Sequence, residues 1–204
     1  MPFTALNKTT GKLITLFDYR APLSELRQSE IVCPVCETEM IIRSAHYRLG
    51  RPVAAHFAHK PDTDCWYARE TAGERYEHHL AKQVLSAKLR EWFSEYTTAE
   101  PWLEAPIREV QRVADILFLF PGGWGIVHEI QLAGITPERL EERTLDYERA
   151  GLDVVWWFGL EAKTPNNLQW SMDRYGYAYQ LDFESDQSAG DGNIILGQAG
   201  GELR

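Results

Sequence analysis

The spacing of apolar residues divides the chain into elements before any chemistry is considered. From Glu70 to about Phe93 they recur every three to five positions, at Tyr76, Leu80, Val84, Leu85, Leu89 and Phe93, which predicts an amphipathic helix. A strand is expected near Leu103–Val110. Residues 111–131, QRVADILFLFPGGWGIVHEIQ, read as a hairpin, with two apolar runs around a Pro-Gly-Gly turn. Thr136-Pro137-Glu138 opens a second helix: a capping hydroxyl, proline at the first helical position and an acid in the first turn. Gly151 ends it, and DVVWWFG is a nearly all-apolar run, as a buried strand requires. LQWSMDRYGYAYQLDF is expected to add two more strands. The glycine-rich tail after Ser185 is expected to be weakly structured, apart from Ile194–Leu196. Near the start, KLITLFDY suggests a hairpin or edge strands. From Glu70 the order is helix, three strands, helix, strand, which describes a small mixed α/β sheet flanked by helices.

Three units follow from this pattern: a β-rich module over 1–69, an α/β core over 70–185 and the tail over 186–204. Charge separates the first two. The net charge is −9, but residues 1–69 carry 9 Lys and Arg against 7 acids, while the rest carry 12 against 23. An acidic chain does not coat nucleic acid by charge alone, although a local, metal-bearing cleft can still take it. No apolar stretch approaches the ~20 residues needed to span a bilayer, and the start lacks a secretory signal, so no membrane association and a cytoplasmic location are expected.

The first unit holds all the cysteines. Cys33-Pro-Val-Cys36 is a tight turn that aims two sulfurs at one point, and Cys65 with a histidine completes a Cys3His set for structural zinc. His59 is the chosen fourth ligand because it lies nearest Cys65; His56 is the alternative and His46 a more distant one. MIIRSAHYRLGRPVAAHF would return the chain to the knuckle as a hairpin turning near Leu49-Gly50-Arg51.

The hairpin of residues 111–131 buries an acid in each apolar run, which is costly unless the acid is paired or bound to metal. With the turn centred near Gly122, Asp115 lies opposite Glu129, the Cβ atoms roughly 4.5–5.5 Å apart. A slip of one residue would send the two carboxylates to opposite faces. Two such carboxylates repel unless a cation such as Mg2+ or Mn2+ lies between them. Gln131 shares the Glu129 face, and the Ile130 carbonyl could add an oxygen ligand. The alternative is a structural acid pair held by Arg108, Arg112 or backbone donors.

VADILF, then GIVHEIQLAGITPERLEERTLDYERAGLDVVWWF, together with the CPVC…HFAH…C module and ETAGERYEHHLAK, resembles the competence protein CoiA-like family of the PD-(D/E)xK nuclease superfamily. The resemblance covers roughly residues 30–160. It implies a restriction-endonuclease-like αβββαβ core with a small N-terminal zinc-binding β module. It also implies a metal-dependent deoxyribonuclease, with Asp115 and Glu129 on the second and third core strands. Gln131 stands where most of the superfamily has lysine, and an amide carries no positive charge to stabilise the transition state.

Glu74, His78 and Lys82 match the family's E…H…K helix. Glu74 and Lys82 would lie roughly 12 Å apart along a helix axis, so one of them is expected at the metal: Glu74 as ligand, or Lys82 in place of the strand lysine. Arg143 and Tyr147 match an R…Y pair, with Arg143 expected to contact phosphate or brace Glu129, and Tyr147 to hydrogen-bond Gln131. Trp156 and Trp157 are expected in the core. Arg43, Arg48, Arg51 and Lys60 are candidate phosphate contacts. The resemblance implies DNA as partner, in DNA uptake and recombination or in defence. Two other readings stay open: a non-catalytic nucleic-acid-binding accessory protein that keeps the nuclease fold, and a zinc-stabilised interaction module.

Overall fold

In the computed structural model, residues 2–16, 26, 29–48, 50–74, 76–99, 101–184 and 193–199 are described. The main sheet has six strands in the order β13-β12-β11-β10-β9-β8. They are β8 (Pro101–Ile107), β9 (Arg112–Leu119), β10 (Gly125–Gln131), β11 (Leu152–Gly159), β12 (Ala178–Glu184) and β13 (Asn193–Ala199). β8, β9 and β10 form an antiparallel meander, β10, β11 and β12 run parallel, and β13 returns antiparallel along β12. Three helices cover this sheet: α2 (Tyr76–Trp92), α3 (Pro137–Arg149) and α4 (Pro165–Tyr175). The expected order of helix, three strands, helix and strand is therefore present, in a mixed α/β architecture.

The pleat sorts the core. Ile116, Phe118, Ile130 and Trp157 face α2 and pack on Ala81, Leu85 and Leu89. Leu117, Val127, Val154 and Trp156 face the other way, against Leu140 and Tyr147 of α3. Each tryptophan of the pair has a buried acceptor: Trp156 donates to Thr144 at 2.9 Å, and Trp157 to Nδ1 of His128 at 3.1 Å. Both are core residues, as expected. The turn between β9 and β10 requires its glycines, since Gly122 and Gly123 take φ of 107° and 86°.

Three expectations are corrected. LQWSMDRY is not a strand but most of α4. Thr164 caps that helix by accepting from the Asn167 N–H at 3.3 Å, Pro165 opens it, and Gly176 closes it in the left-handed conformation. The run 70–93 is not one helix. A short α1 (Trp66–Glu70) is followed by a turn through Gly73, at φ 78°, before α2 begins. Within the tail, residues 193–199 form a full edge strand paired to β12 rather than an isolated apolar triplet.

The N-terminal residues build smaller sheets. β1 (Thr4–Asn7) pairs antiparallel with β2 (Lys12–Thr15) and with β3 (Ile31–Val32), and β4 (Met40–Arg43) pairs with β7 (His56–His59). Between them β5 (His46–Arg48) and β6 (Arg51–Val53) form a second hairpin whose turn contains Gly50 at φ 76°. The expected hairpin over 40–57 is therefore present in one register, as two successive ladders interrupted at Ser44-Ala45 and Ala54-Ala55. Ala5, Ile31, Met40, Phe57 and Tyr67 pack together here, joined by Val113 of β9. Contacts at β8 fasten this region to the main sheet: Thr4 Oγ1 donates to the Leu103 carbonyl, and Arg108 donates to the carbonyls of Pro34 and Val35.

Candidate active site and metal centre

The hairpin register is the expected one. Gly125 pairs with Leu119, and the ladder continues to His128 opposite Ile116, so the next step sets Glu129 opposite Asp115. At that step the backbone ladder gives way to side chains. The Asp115 N–H donates to Glu129 Oε1 at 3.3 Å, and the Ile130 N–H donates to Asp115 Oδ2 at 2.8 Å. Each carboxylate takes over an acceptor position where the ladder ends.

From there the two acids turn to different helices. Asp115 meets α2, with Oδ2 3.0 Å from His78 Nε2 and Oδ1 3.2 Å from Lys82 Nζ. Glu129 meets α3, accepting from Tyr147 Oη at 2.7 Å and pairing closely with Arg143. Glu74, just ahead of α2, completes the first group: it lies 3.4 Å from His78 Nδ1 and 2.9 Å from Lys82 Nζ. Ligand atoms of Glu74, His78 and Asp115 all lie within 4.8 Å of one another, a donor set that fits a divalent cation. Glu129 is outside that set. The cation grip expected from Asp115 and Glu129 is therefore redistributed, with Asp115 joined by Glu74 and His78 and Glu129 held by Arg143 and Tyr147. Neither Arg108 nor Arg112 neutralises Asp115; Arg112 pairs with Asp146 at 2.7 Å.

Electrostatics follow these contacts. Burial pushes Asp115 up, but the adjoining His78 and Lys82 outweigh it and bring the carboxyl down to about 2. Burial works against a charge on His78, yet Asp115 and Glu74 on its two nitrogens raise it to about 9. Burial dominates at Glu129 and pushes it up to about 7; Arg143 opposes the shift and Asp115 adds to it.

Several placements differ from the sequence reading. Tyr147 bonds Glu129 and the Val113 carbonyl instead of Gln131, whose amide donates to the Ala133 carbonyl at 2.8 Å. Glu74 and Lys82, expected apart, are in contact, because Glu74 precedes the helix and the lysine stem reaches back along it. Sequence reasoning missed Glu104 altogether. It is 1% exposed in β8, accepts from the Phe3 and Thr4 N–H groups at 2.6 and 3.1 Å, and lies 3.2 Å from Lys82 Nζ. Its signal was the one that exposed Asp115: an acid inside an apolar run, PWLEAPI. Glu104 also forms a second potential donor set with Glu74 and His79, against which the Lys82 ammonium already provides a cation.

A cleft of about 560 Å³ opens over the first set, with Glu74, His78 and Asp115 among its walls and Gln131 at its side. Arg69, Arg112, Arg139 and Arg143 also line it.

The cysteine cluster is compact. Cys33, Cys36, His59 and Cys65 offer ligand atoms within 4.8 Å of one another, and none of the thiols is in a disulfide. Cys33 and Cys65 sulfurs are 3.9 Å apart, and Cys36 Sγ is 3.4 Å from His59 Nε2. Metal–ligand distances near 2.3 Å for sulfur and 2.0 Å for nitrogen give tetrahedral edges of about 3.8 and 3.5 Å, so the donors fit a zinc-sized ion. The knuckle is preformed: the Val35 N–H donates to Cys33 Sγ at 3.4 Å, and Glu37 takes φ of 58° to close the turn. His56 faces elsewhere, with Nδ1 bonded to the Ala54 carbonyl, and His46 is exposed and bonded to the Ser44 carbonyl.

A mixed α/β core with a buried acid–histidine–lysine cluster thus stands beside a small module whose Cys3His set could hold a metal ion. The family model for the competence protein CoiA nuclease-like domain matches residues 74–187, over half of the chain, and that for the competence protein CoiA N-terminal domain matches residues 17–68. The chain belongs to the competence protein CoiA family. No curated protein and no solved structure matches it significantly. Among the described residues no helix is long and apolar enough to cross a membrane.

Proposed function

We propose that the protein is a metal-dependent deoxyribonuclease that hydrolyses phosphodiester bonds in the cytoplasm, in DNA uptake and recombination or in defence. The observation that carries this reading is the Glu74–His78–Asp115 donor set opening into a cleft lined by four arginines. Those three residues would hold Mg2+ or Mn2+, and such an ion supplies charge neutralisation at phosphate and an acidified water. The remaining work belongs to the chain. Arg69 and Arg139, exposed at the cleft and paired with Asp64 and Glu142, orient phosphates once those surface pairs yield. Lys82 keeps an ammonium 3.2 Å from Asp115 and provides the positive charge that Gln131 lacks. Glu129, with its carboxyl near neutrality and fixed by Tyr147, suits proton transfer once the Arg143 contact yields to substrate. Cys33, Cys36, His59 and Cys65 would hold structural Zn2+.

DNA would also be contacted by the N-terminal module. Residues 40–61 contain no Asp or Glu in a chain of net charge −9. Arg43 and Arg48 are exposed on its hairpins, and Tyr47 between them is 79% exposed, a combination suited to phosphate pairing and base stacking. Lys60 is paired with Glu39 and contributes less.

A second reading, a non-catalytic nucleic-acid-binding accessory protein, is favoured by Gln131 and by the engagement of both Glu129 oxygens. Incubation with linear, circular and single-stranded DNA in Mg2+, Mn2+ or EDTA separates the two. Metal-dependent cleavage that disappears in Asp115→Asn while the fold is kept supports the nuclease. Intact DNA beside ordinary binding supports the accessory protein.

A further inference from the structure

Lys82 is 1% exposed and its ammonium touches three carboxylates: Glu74 at 2.9 and 3.1 Å, Glu104 at 3.2 Å and Asp115 at 3.2 Å. Two of the three belong to the donor set proposed for the catalytic ion. An ammonium shared with those ligands competes with a metal for the same oxygens, so its exact partition among the three acids matters. Glu104 stands outside the Glu74–His78–Asp115 set and shares the ammonium with it, at the same 3.2 Å as Asp115.

Glu104 is held firmly in this position. Oε2 accepts from the Phe3 and Thr4 N–H groups, Oε1 faces Lys82, and His79 Nδ1 lies 3.8 Å away. Burial and the neighbouring Glu74 push the Glu104 carboxyl above the ordinary range, while Lys82 and the Phe3 amide, which are donors only, oppose that shift and favour the ionised form. The residue takes φ of 54°, a conformation rare for non-glycine residues, and the β8–β9 ladder skips it: Leu103 pairs with Ile116 and Ala105 with Ala114. The two amides sit at the head of β1, which pairs with β3, and β3 runs directly into Cys33.

We infer that Glu104, gripped by the backbone of the N-terminal strand, is a positioning residue that anchors Lys82 and so keeps Glu74 and Asp115 available to a divalent cation. This rests on the reading of Glu74, His78 and Asp115 as metal ligands, but not on cleavage. The amino-terminal strand thereby becomes part of the cation site.

The test is Mn2+ affinity, measured by calorimetry on the zinc-loaded full chain, in a double-mutant cycle of Glu104→Gln and Lys82→Met. Glutamine keeps an acceptor for the two amides and loses the charge, so Lys82 shifts onto Glu74 and Asp115. Mn2+ affinity is expected to fall about tenfold, within the range for contacting residues. Lys82→Met is expected to raise it, and in that background Glu104→Gln should have no effect. Unchanged affinity in a folded Glu104→Gln variant, or equal losses with and without Lys82, overturns the inference. If Glu104→Gln alone does not fold, recovery of folding in the double variant supports the coupling, and failure of both assigns Glu104 a purely structural role. Absence of Mn2+ binding by the unaltered chain overturns it too. Mn2+ binding without DNA cleavage would instead remove the nuclease proposal and leave this one standing.

Discussion

Lys82 and Glu74, eight positions apart, meet at 2.9 Å. Had both lain on one helix, the rise would have separated their backbones by roughly 12 Å. Glu74 instead follows the turn that ends at Gly73, ahead of α2, and the lysine stem lies back along α2 toward it. This contact closes a cluster in which one ammonium and one imidazolium are shared among carboxylates from the segment ahead of α2 and two strands.

Loss of the ammonium should therefore be costly. Lys82→Met leaves Glu74, Glu104 and Asp115 without their central cation, and breaking a buried charge group in this way costs about 3–5 kcal/mol. Urea unfolding should show the loss, and saturating Mn2+ should restore part of it. A variant as stable as the original chain would mean that the cluster is already neutral.

Metal binding should release a proton. His78 is raised to about 9 by Asp115 and Glu74, and an imidazolium cannot ligate. Apparent Mn2+ affinity should rise about tenfold per pH unit from pH 7 and level off near 9. Calorimetry in buffers of different ionisation enthalpy should count about one proton per ion near pH 7. Affinity that does not change across this range would exclude His78 as a ligand.

Stability should also record Glu129. Its carboxyl is raised from the ordinary 4.5 to about 7, chiefly by burial, so the folded chain holds a proton that the unfolded chain releases. Its contribution is fully present below pH 4.5 and is lost as pH rises through 7. Glu129→Gln should remove that dependence, and its stability relative to the original chain should grow by on the order of 1–3 kcal/mol between pH 4.5 and 8. Asp115 acts in the opposite sense: lowered from 3.8 to about 2, it stabilises above pH 3.8, and that contribution fades as pH falls through 2. Parallel pH profiles for the original chain and Glu129→Gln would contradict the assignment.

The two histidines of HFAH should behave differently. His59→Ala removes the proposed ligand nitrogen, which lies 3.4 Å from the Cys36 sulfur, whereas His56 is turned toward the Ala54 carbonyl. Zinc content by native mass spectrometry should drop in His59→Ala and stay at one ion in His56→Ala. Loss of zinc should also lower the melting temperature, since ligand binding to the folded state is folding free energy. Equal zinc loss in both would return His56 to the ligand set.

Local rules were enough for much of this protein. The Pro-Gly-Gly turn fixed the pairing of β9 with β10, and with it Asp115 opposite Glu129, because side-chain alternation leaves a buried hairpin little freedom of register. Thr136-Pro137 marks the start of α3, and Thr164-Pro165 carries the same signature ahead of an aromatic run that resembles a strand. Leu168 and Tyr175 of α4 are seven positions apart, on one helical face, and with Trp170 they pack on the α3 side of the sheet.

What the sequence by itself determined was the order of elements, the cysteine knuckle and the presence of costly acids in apolar strands. These depend on neighbours a few positions apart, where backbone geometry and burial leave few choices. Only the tertiary structure decided where each acid would find its charge: Asp115 at His78 and Lys82, Glu129 at Arg143 and Tyr147, and Glu104 at the amides of Phe3 and Thr4. Those partners come from elements far apart along the chain. A buried charge is satisfied by whatever donor packing brings within about 3 Å, and no spacing rule along the sequence contains that distance.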